Sequence, residues 1–404
     1  SYWHWIHPGE QKAIIEPPPV PDGVPPWAVY LDAAIPLLKQ VPYWWIENRE
    51  NDFGEFGAND GINDDTDLVQ DWWALHLMRG PDKRLFDSLK RVADNSWRVT
   101  MRETGLGHHT DALHTYEDGV NAQCHMALMD YGNPVYFERM LASARHYKDL
   151  LAVNKAGHLH FRASYYGWGR DGKASVAAGP QARDSGSNSL MLQPAMLIAW
   201  YNADEYCAKV LTDWTDAMIA HCKETYVPGK KHIQGCSVVF ETDASTPSRS
   251  FGYGFFDAPW ACYELTRDRK YLDFVGLGVE METRTSYLRQ PRQTGTVAGR
   301  YIAETGDRRL ADAFVAASRA AHLWKSSIHN DNYYELDSFY LAWLCTGNIA
   351  FINEGAKLTL NDVTWELPML TVGEQSTDRV WLPQRLLNRV ALGGPAMLRN
   401  ELFP

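Results

Sequence analysis

From Trp27 onward the sequence repeats one arrangement: an apolar helical stretch, a short turn of Gly, Asn or Asp, and then an amphipathic helix. In each repeat a small or acidic residue ends one helix and caps the next, and Leu, Phe, Tyr or Val follow at helical spacing. Trp27 to Gln40 predicts one further amphipathic helix before the series. The turn residues are Gly80, Gly132, Asn202, Asp268, Gly306 and Gly347.

The spacing of these helical hairpins predicts a closed ring. The hairpins are unequal in length and are joined by long Gly-rich loops, whereas an open solenoid has a steadier period. We therefore predict an all-α dominated fold, an (α/α)6-type toroid over residues 27–355. From Ala356 the segment LTLNDVTWELPMLTV alternates and is β-branched, which predicts a short β segment in a C-terminal extension, 356–404. Residues 1–26 are expected to form an N-terminal tail and a stiff Pro-rich linker.

Composition and charge narrow the function classes. The chain has 404 residues, 45% hydrophobic and 22% charged, which predicts a globular protein with a large core. Its net charge of −11 speaks against binding nucleic acid by neutralising phosphates. No apolar run reaches the ~20 residues of a membrane span. The chain begins with Ser, so we expect a removed signal peptide or a piece of a longer chain, and a secreted or periplasmic protein.

The six cysteines form no CxxC pair and show no zinc-finger spacing, so we expect buried, small apolar residues. Aromatic residues are more informative, because the chain has 16 Trp and 20 Tyr. Rings with a polar edge suit the half-wet surface of a sugar, although large helical cores also use Trp. Sugar binding is therefore one use that the composition favours.

The first unusual loop runs from Ile46 to Asp67 and is rich in acids and glycines. It ends in the adjacent pair Asp64 and Asp65, before the helix that carries Trp72. One acid is enough to cap that helix. The second could bind sugar hydroxyls, supply a catalytic acid or hold calcium, although the EF-hand spacing is not matched.

The second loop, Gly105 to His125, is the densest chemical segment of the chain. Asn121 and His125 are four residues apart on the helix that follows and share a face, with Glu117 near its start. HExxH is absent and the histidine spacing matches no common zinc site, so no metal is predicted here. The candidate catalytic residues of this loop are His109, His114, Tyr116 and Glu117.

The third loop, His158 to Lys173, predicts a basic and aromatic wall. Alternation in HLHFR predicts a short strand with His158, His160 and Arg162 on one side. A looser polar set, Arg183, Asp184 and Asn188, precedes a later helix. The other candidates of the wall are Tyr165, Tyr166, Trp168 and Arg170.

The segments ALMDYGNPVYFERML and HTYEDG, with the repeated Gly-Asp helix turn, resemble the (α/α)-toroid polysaccharide lyases and the related unsaturated-uronyl hydrolases. The resemblance covers most of residues 27 to 350 as architecture and the two quoted loops as active-site segments. The Asn-Asn-His signature of some alginate-type toroids is absent. The resemblance implies an enzyme that acts on an acidic polysaccharide or oligosaccharide and requires no cofactor, with room for a structural divalent cation.

We favour a polysaccharide lyase that cleaves a uronic-acid-containing chain by β-elimination. This chemistry neutralises a uronate carboxylate, removes the C5 proton and protonates the leaving O4. The loops supply the residue types: Arg162 and Asn121 for the carboxylate, His109 or His114 as base, and Tyr116 or Tyr165 as acid. The expected substrate-binding residues are Asp64, Asp65, Trp72, Asn121, His125, His160, Tyr166, Trp168 and Arg170.

Two alternatives stay open. A glycoside hydrolase needs two carboxylates at a fixed separation, which Asp64 or Asp65 with Glu117 or Asp118 could provide. A noncatalytic carbohydrate-binding protein would explain the Trp and Tyr content but would leave the clustered histidines without a purpose.

Overall fold

The computed structural model describes residues 16–57, 62–69, 72–169, 171, 173–224, 235–248, 251, 254–283, 297–321 and 334–371. Helices dominate these residues. They are α1 (Pro26–Asn48), α2 (Ile62–Val69), α3 (Trp72–Leu77), α4 (Lys83–Arg98), α5 (Ala112–Thr115), α6 (Asn121–Met129), α7 (Pro134–Arg145), α8 (Tyr147–Leu150), α9 (Gln193–Asn202), α10 (Glu205–Glu224), α11 (Asp257–Thr266), α12 (Arg269–Thr283), α13 (Ala298–Thr305), α14 (Ala311–Ala321), α15 (Tyr334–Thr346) and α16 (Ile349–Leu370).

The helices form two layers, as an α/α toroid requires. Every residue of α6 is buried, whereas α4 buries one stripe that includes Leu85, Leu89 and Val92 and exposes charged residues on the other side. A helix that is buried all round belongs to the inner layer, and an amphipathic one belongs outside. The inner helices α3, α6, α9 and α11 contact each other in chain order.

The last described helix closes the ring against the first. α16 packs along α1, and the backbone N–H of Trp27 donates to Asn353 Oδ1 at 3.0 Å. The predicted β segment is therefore wrong over residues 356–370, and residues 372–404 lie outside the described part. Ile352, Ala356, Leu360 and Val363 are buried, which is a helical stripe. The alternation of Leu358 and Leu360 favoured a strand in the sequence analysis, although the buried residues of the whole segment follow the helical period.

The predicted short turns are confirmed as helix ends. Gly80, Gly132, Gly306 and Gly347 have positive φ angles between 65° and 92°, which ends a helix without a Cβ clash. After the other two helices, Ala203 and Arg267 take the left-handed position. The next helices are capped by side chains of Asp82, Asn133 and Asn348. The predicted first helix continues to Asn48, through Pro36 and Pro42.

Within the described residues, eight short strands lie in the loops between helices. They are β1 (Thr110–Asp111), β2 (Leu151–Val153), β3 (Leu159–Phe161), β4 (Tyr165–Trp168), β5 (Ala174–Val176), β6 (Arg183–Ser185), β7 (Gly235–Val239) and β8 (Ser245–Ser248). All pair antiparallel, in three small sheets: β4 lies between β1 and β5, β2 pairs with β3, and β7 lies between β6 and β8.

The connections divide the ring into two ends. Each turn from an inner helix to the next outer helix is short, as at residues 130–133 and 203–204, and we call this side the short-turn end. Each connection from an outer helix to the next inner helix is long, as at residues 99–120 and 146–192, and we call this side the long-loop end. The eight strands and the three loops predicted to carry chemistry lie at the long-loop end.

Two expectations from composition agree with the described residues. All six cysteines are buried and none forms a disulfide, as expected of small apolar residues. Within the described ranges, no helix combines the length and the apolar character that a membrane span needs.

Candidate functional site at the long-loop end

The starts of two neighbouring inner helices bring acids together. Thr66, in α2, donates from its hydroxyl to the carbonyl of Glu117 at 2.5 Å, and Asn121 Nδ2 donates to Thr66 Oγ1 at 2.9 Å. Asp65, beside Thr66, is fully buried and accepts from the backbone N–H of Phe56 at 2.9 Å. The loops before Leu68 and Val120 therefore open at the same end of the ring.

A kinked turn, Tyr116–Val120, presents two consecutive acids at this point. It depends on Gly119, whose φ is 139° and whose added Cβ would lie 2.6 Å from Ser96 Oγ. Both acids of the turn, Glu117 and Asp118, are buried.

His108 and Asp118 form a dyad that reaches the surface. Asp118 Oδ2 accepts from the His108 backbone N–H at 2.9 Å and also contacts Nδ1 of the same ring. Burial raises the pKa of the Asp118 carboxyl above its ordinary value, although the charge and hydrogen bonds of His108 oppose the rise. The His108 ring is 49% exposed, so a buried carboxylate orients an imidazole that faces solvent.

A second His–Asp pair lies on the strand edge. His114 Nδ1 is 2.8 Å from Asp111 Oδ2, and Asp111 also caps α5 by accepting from the backbone N–H groups of Leu113 and His114. Asp111 pairs with Tyr165 across β1 and β4, and Tyr165 is exposed. His109 is exposed in the same loop. His109, His114 and Tyr165 are therefore all accessible to solvent.

Several predicted site residues lie in the packed interior instead of on an open wall. The buried Tyr116 hydroxyl donates to Gln193 Oε1, and the Tyr166 hydroxyl donates to Asn188 Oδ1 at 3.0 Å. Trp72 packs edge-on against Phe56 with ring centroids 5.6 Å apart. The sequence could not show this, because a residue in an aromatic run faces inward or outward according to the packing of the whole ring. The other interior candidates are Asn121, His125 and His160.

The residues of the third loop do not form one continuous wall, because their side chains point in different directions. His158 and His160 lie on one side of β3 as predicted, but Arg162 is exposed and its guanidinium lies 3.4 Å from the carbonyl oxygen of Asp149. Trp168 is half-buried, donates to the Thr100 carbonyl at 2.7 Å and lies under the Arg102 guanidinium. Arg170 and the side chain of Asp64 lie outside the described part.

The structure adds residues that the sequence reasoning missed. Asp257, at the start of inner helix α11, is buried at the same end as Asp65 and Glu117. An acid before an inner helix is a signal that the first two loops already showed. By contrast, His221 in α10 and Asp243 after β7 have no local signal, because they meet His158 and His160 only through the tertiary fold.

The described chain is similar in shape to three solved structures. The first is the Lin0763 protein from Listeria innocua, at 12% identity and a TM-score of 0.47, covering 83% of this chain and 98% of that one. The second is an inactive variant of the α-1,6-mannanase GH76A of Salegentibacter sp. HEL1_6, with two aspartates replaced by asparagine, in complex with α-1,6-mannotriose.

The mannanase variant matches at 11% identity with a TM-score of 0.45, and the match covers 82% of this chain and 99% of that chain. The third structure, the mannanase itself, gives the same values. No family model matches the sequence. No curated protein matches it either.

Proposed function

We propose that this protein is a carbohydrate-active enzyme that hydrolyses a glycosidic bond with two carboxylates, Asp65 and Glu117. The observation that carries the proposal is the convergence of α2 and the kinked turn Tyr116–Val120. The hydrogen bond from Thr66 to Glu117 joins positions 51 residues apart and fixes the backbone of both acids at the long-loop end.

The two acids suit the two roles that hydrolysis requires. One carboxylic acid protonates the leaving oxygen, and the other carboxylate activates water or attacks the anomeric carbon. Asp65 and Glu117 are both buried. Asp118 has a different role, because its Oδ2 holds His108 by two contacts.

β-Elimination, which the sequence favoured, has less support from the contacts. A lyase needs a cation at the uronate carboxylate next to its base and acid. Arg162 points to the carbonyl of Asp149, and the Tyr116 hydroxyl is occupied by Gln193 inside the core. The hydrolase uses neither of these residues.

A polysaccharide panel tests the proposal. It contains α-1,6-linked mannan, the substrate class named for the two similar mannanase structures, other neutral polysaccharides and uronate polysaccharides. We expect new reducing ends without an ultraviolet chromophore. Asp65→Asn and Glu117→Gln should abolish turnover, while Arg162→Ala and His114→Gln should be nearly silent.

Three outcomes contradict the hydrolase. An ultraviolet-absorbing, unsaturated product together with a large loss in Arg162→Ala identifies a lyase. Full activity in Asp65→Asn or Glu117→Gln removes that residue from the mechanism. Saturable binding of a sugar without turnover on any member of the panel identifies a noncatalytic carbohydrate-binding protein.

A further inference from the structure

Three histidines and one aspartate from separate elements meet at the long-loop end, apart from the carboxylate pair. His158 immediately precedes β3, His160 lies in β3, His221 lies in the last turn of α10, and Asp243 lies in the turn between β7 and β8. The three imidazole centroids are 6.1, 5.4 and 5.2 Å apart. The rings therefore surround one point.

Two of the three histidines lie at separations from Asp243 that fit metal ligation better than hydrogen bonding, whereas His158 Nδ1 is at hydrogen-bond distance, 2.9 Å, from Asp243 Oδ2. Asp243 Oδ1 is 3.6 Å from His160 Nε2 and 3.4 Å from His221 Nε2. Hydrogen bonds to nitrogen are shorter, up to about 3.2 Å. Ligand atoms bound at about 2.0–2.1 Å in a tetrahedron lie about 3.3 Å apart, which is the separation required around zinc. One donor atom from each of the four residues lies within 4.8 Å of all the others.

The outer nitrogen of His160 is held as zinc-ligating histidines usually are. His160 Nδ1 is 2.9 Å from Asp184 Oδ2, so the proton on Nδ1 is donated outward and the Nε2 lone pair faces the centre. The Asp184 carboxylate is itself buried and fixed by Trp214 Nε1 at 2.8 Å and Asn188 Nδ2 at 2.7 Å. This support fixes the direction in which His160 points.

The outer nitrogen of His221 also faces a carboxylate, at a longer distance than that of His160. Its Nδ1 is 3.3 Å from Glu224 Oε2, which leaves its Nε2 on the inner side. His160 Nε2 and His221 Nε2 are both buried and have no hydrogen-bond partner among the described residues. In the neutral ring with a proton on Nδ1, Nε2 is a lone-pair acceptor. Two lone pairs that face a carboxylate repel it, and a cation between them turns this repulsion into three bonds.

We propose that His158, His160, His221 and Asp243 bind one zinc ion. Three imidazoles and one carboxylate suit zinc, whereas calcium and magnesium take mainly oxygen ligands. Four protein ligands leave no open coordination position, so the ion is structural. It connects the β2–β3 hairpin, the end of α10 and the β7–β8 turn. His158 and Asp243, 37% and 17% exposed, form the side from which the ion enters.

Metal analysis of the full chain, purified without chelators, tests the site directly. We expect inductively coupled plasma mass spectrometry to find one zinc ion per chain. A strong chelator should lower the melting temperature, and added zinc should restore it. The cobalt-substituted protein should show the intense visible absorption of a tetrahedral Co²⁺ site. The weak spectrum of octahedral cobalt would overturn the four-ligand site.

Variants assign the ion to these residues. His221→Gln and Asp243→Asn should reduce bound zinc by at least tenfold. His158→Gln removes a half-exposed ligand and should fold even if the buried variants do not. The matched control is His114→Gln, because His114 also pairs with an aspartate and is 38% exposed, but lies outside the cluster. This control should retain one zinc per chain.

Two further results overturn the proposal. One is a protein that takes up no zinc in equilibrium dialysis against micromolar zinc and whose melting temperature does not respond to a chelator. The other is full zinc content in the His158→Gln, His221→Gln double variant. Neither result depends on sugar turnover, so the zinc site can fail while the hydrolase proposal stands.

Discussion

The two ends of the ring use polar residues in opposite ways. At the short-turn end, polar side chains chiefly cap helices: Asp82, Asn133 and Asn348 accept from backbone N–H groups at the start of the helix that follows, and Asp82 also contacts Lys39 and Tyr43 of α1. At the long-loop end, polar side chains form hydrogen bonds between residues far apart in the sequence. Thr66 donates to the carbonyl of Glu117, and the Asp184 carboxylate bonds the rings of His160 and Trp214. Helix capping at the short-turn end stabilises the ring, whereas hydrogen bonds between loops at the long-loop end position the candidate functional residues.

The difference follows from connection length. In a short turn, the polar side chains chiefly satisfy the helix ends beside them, as Asp82 does for α4 although it is itself buried. A long loop can bury a carboxylate, provided that other loops supply its hydrogen bonds. Substitutions at the short-turn end should therefore change stability alone, while those at the long-loop end should change chemistry or metal content.

The largest expected effect is on catalysis. Glu117→Gln should lower kcat/KM by about 10³-fold on the substrate found in the panel, because it removes a proton-transferring or attacking carboxylate. Steady-state kinetics and urea unfolding on the same preparation check this. If the loss of stability at the assay temperature accounts for the loss of activity, Glu117 has a structural role like that of the helix caps. The proposed difference between the two ends is then wrong.

The next effect is on stability at the long-loop end. Asp184→Ala should lower the free energy of unfolding by about 3–5 kcal/mol, because Trp214, Asn188 and His160 lose a buried charged partner. Chemical denaturation measures the loss. Asp184→Asn keeps some of the acceptors and should cost less. A loss below about 1 kcal/mol in Asp184→Ala would show that these partners are satisfied without the carboxylate.

A smaller effect is expected at the short-turn end. Asp82→Ala removes the cap of α4 and the contacts of Asp82 with Lys39 and Tyr43, so it should cost about 1–2 kcal/mol. Urea unfolding measures the cost, and kcat should stay at the level of the unmodified protein. A change in kcat larger than the change in folded fraction would show that the two ends are coupled.

The smallest effect is a pH dependence, also at the short-turn end. Hydrogen bonds from Arg309 lower the pKa of Asp307 from 3.8 to about 2, against the effect of burial. The folded-state pKa is depressed, so the ion pair stabilises the protein above pH 3.8 and this contribution is lost as the pH falls towards 2. Because Arg309 is largely exposed, the contribution is small. Asp307→Asn should make the free energy of unfolding depend less on pH between pH 4 and pH 2. An unchanged pH dependence would contradict the assignment to this ion pair.

The sequence by itself determined the ring and its short turns. Glycine at left-handed positions, caps such as Asp82 and apolar residues at helical spacing are local signals, and each is sufficient for its own helix end. The same reasoning failed at α16. Alternation in a few residues favoured a strand, whereas the stripe from Ile352 to Val363 is completed only by packing against α1.

Only the tertiary structure decided which polar residues meet. The sequence marked Asp65 and Glu117 as candidate chemical groups, but their proximity depends on how α2 packs against the kinked turn Tyr116–Val120. His221 and Asp243 carry no signal at all, because their partners come from a hairpin more than one helix away along the chain. The direction of these side chains and their long-range contacts depend on the packing of the whole ring. The local spacing of residues along the chain therefore cannot predict them.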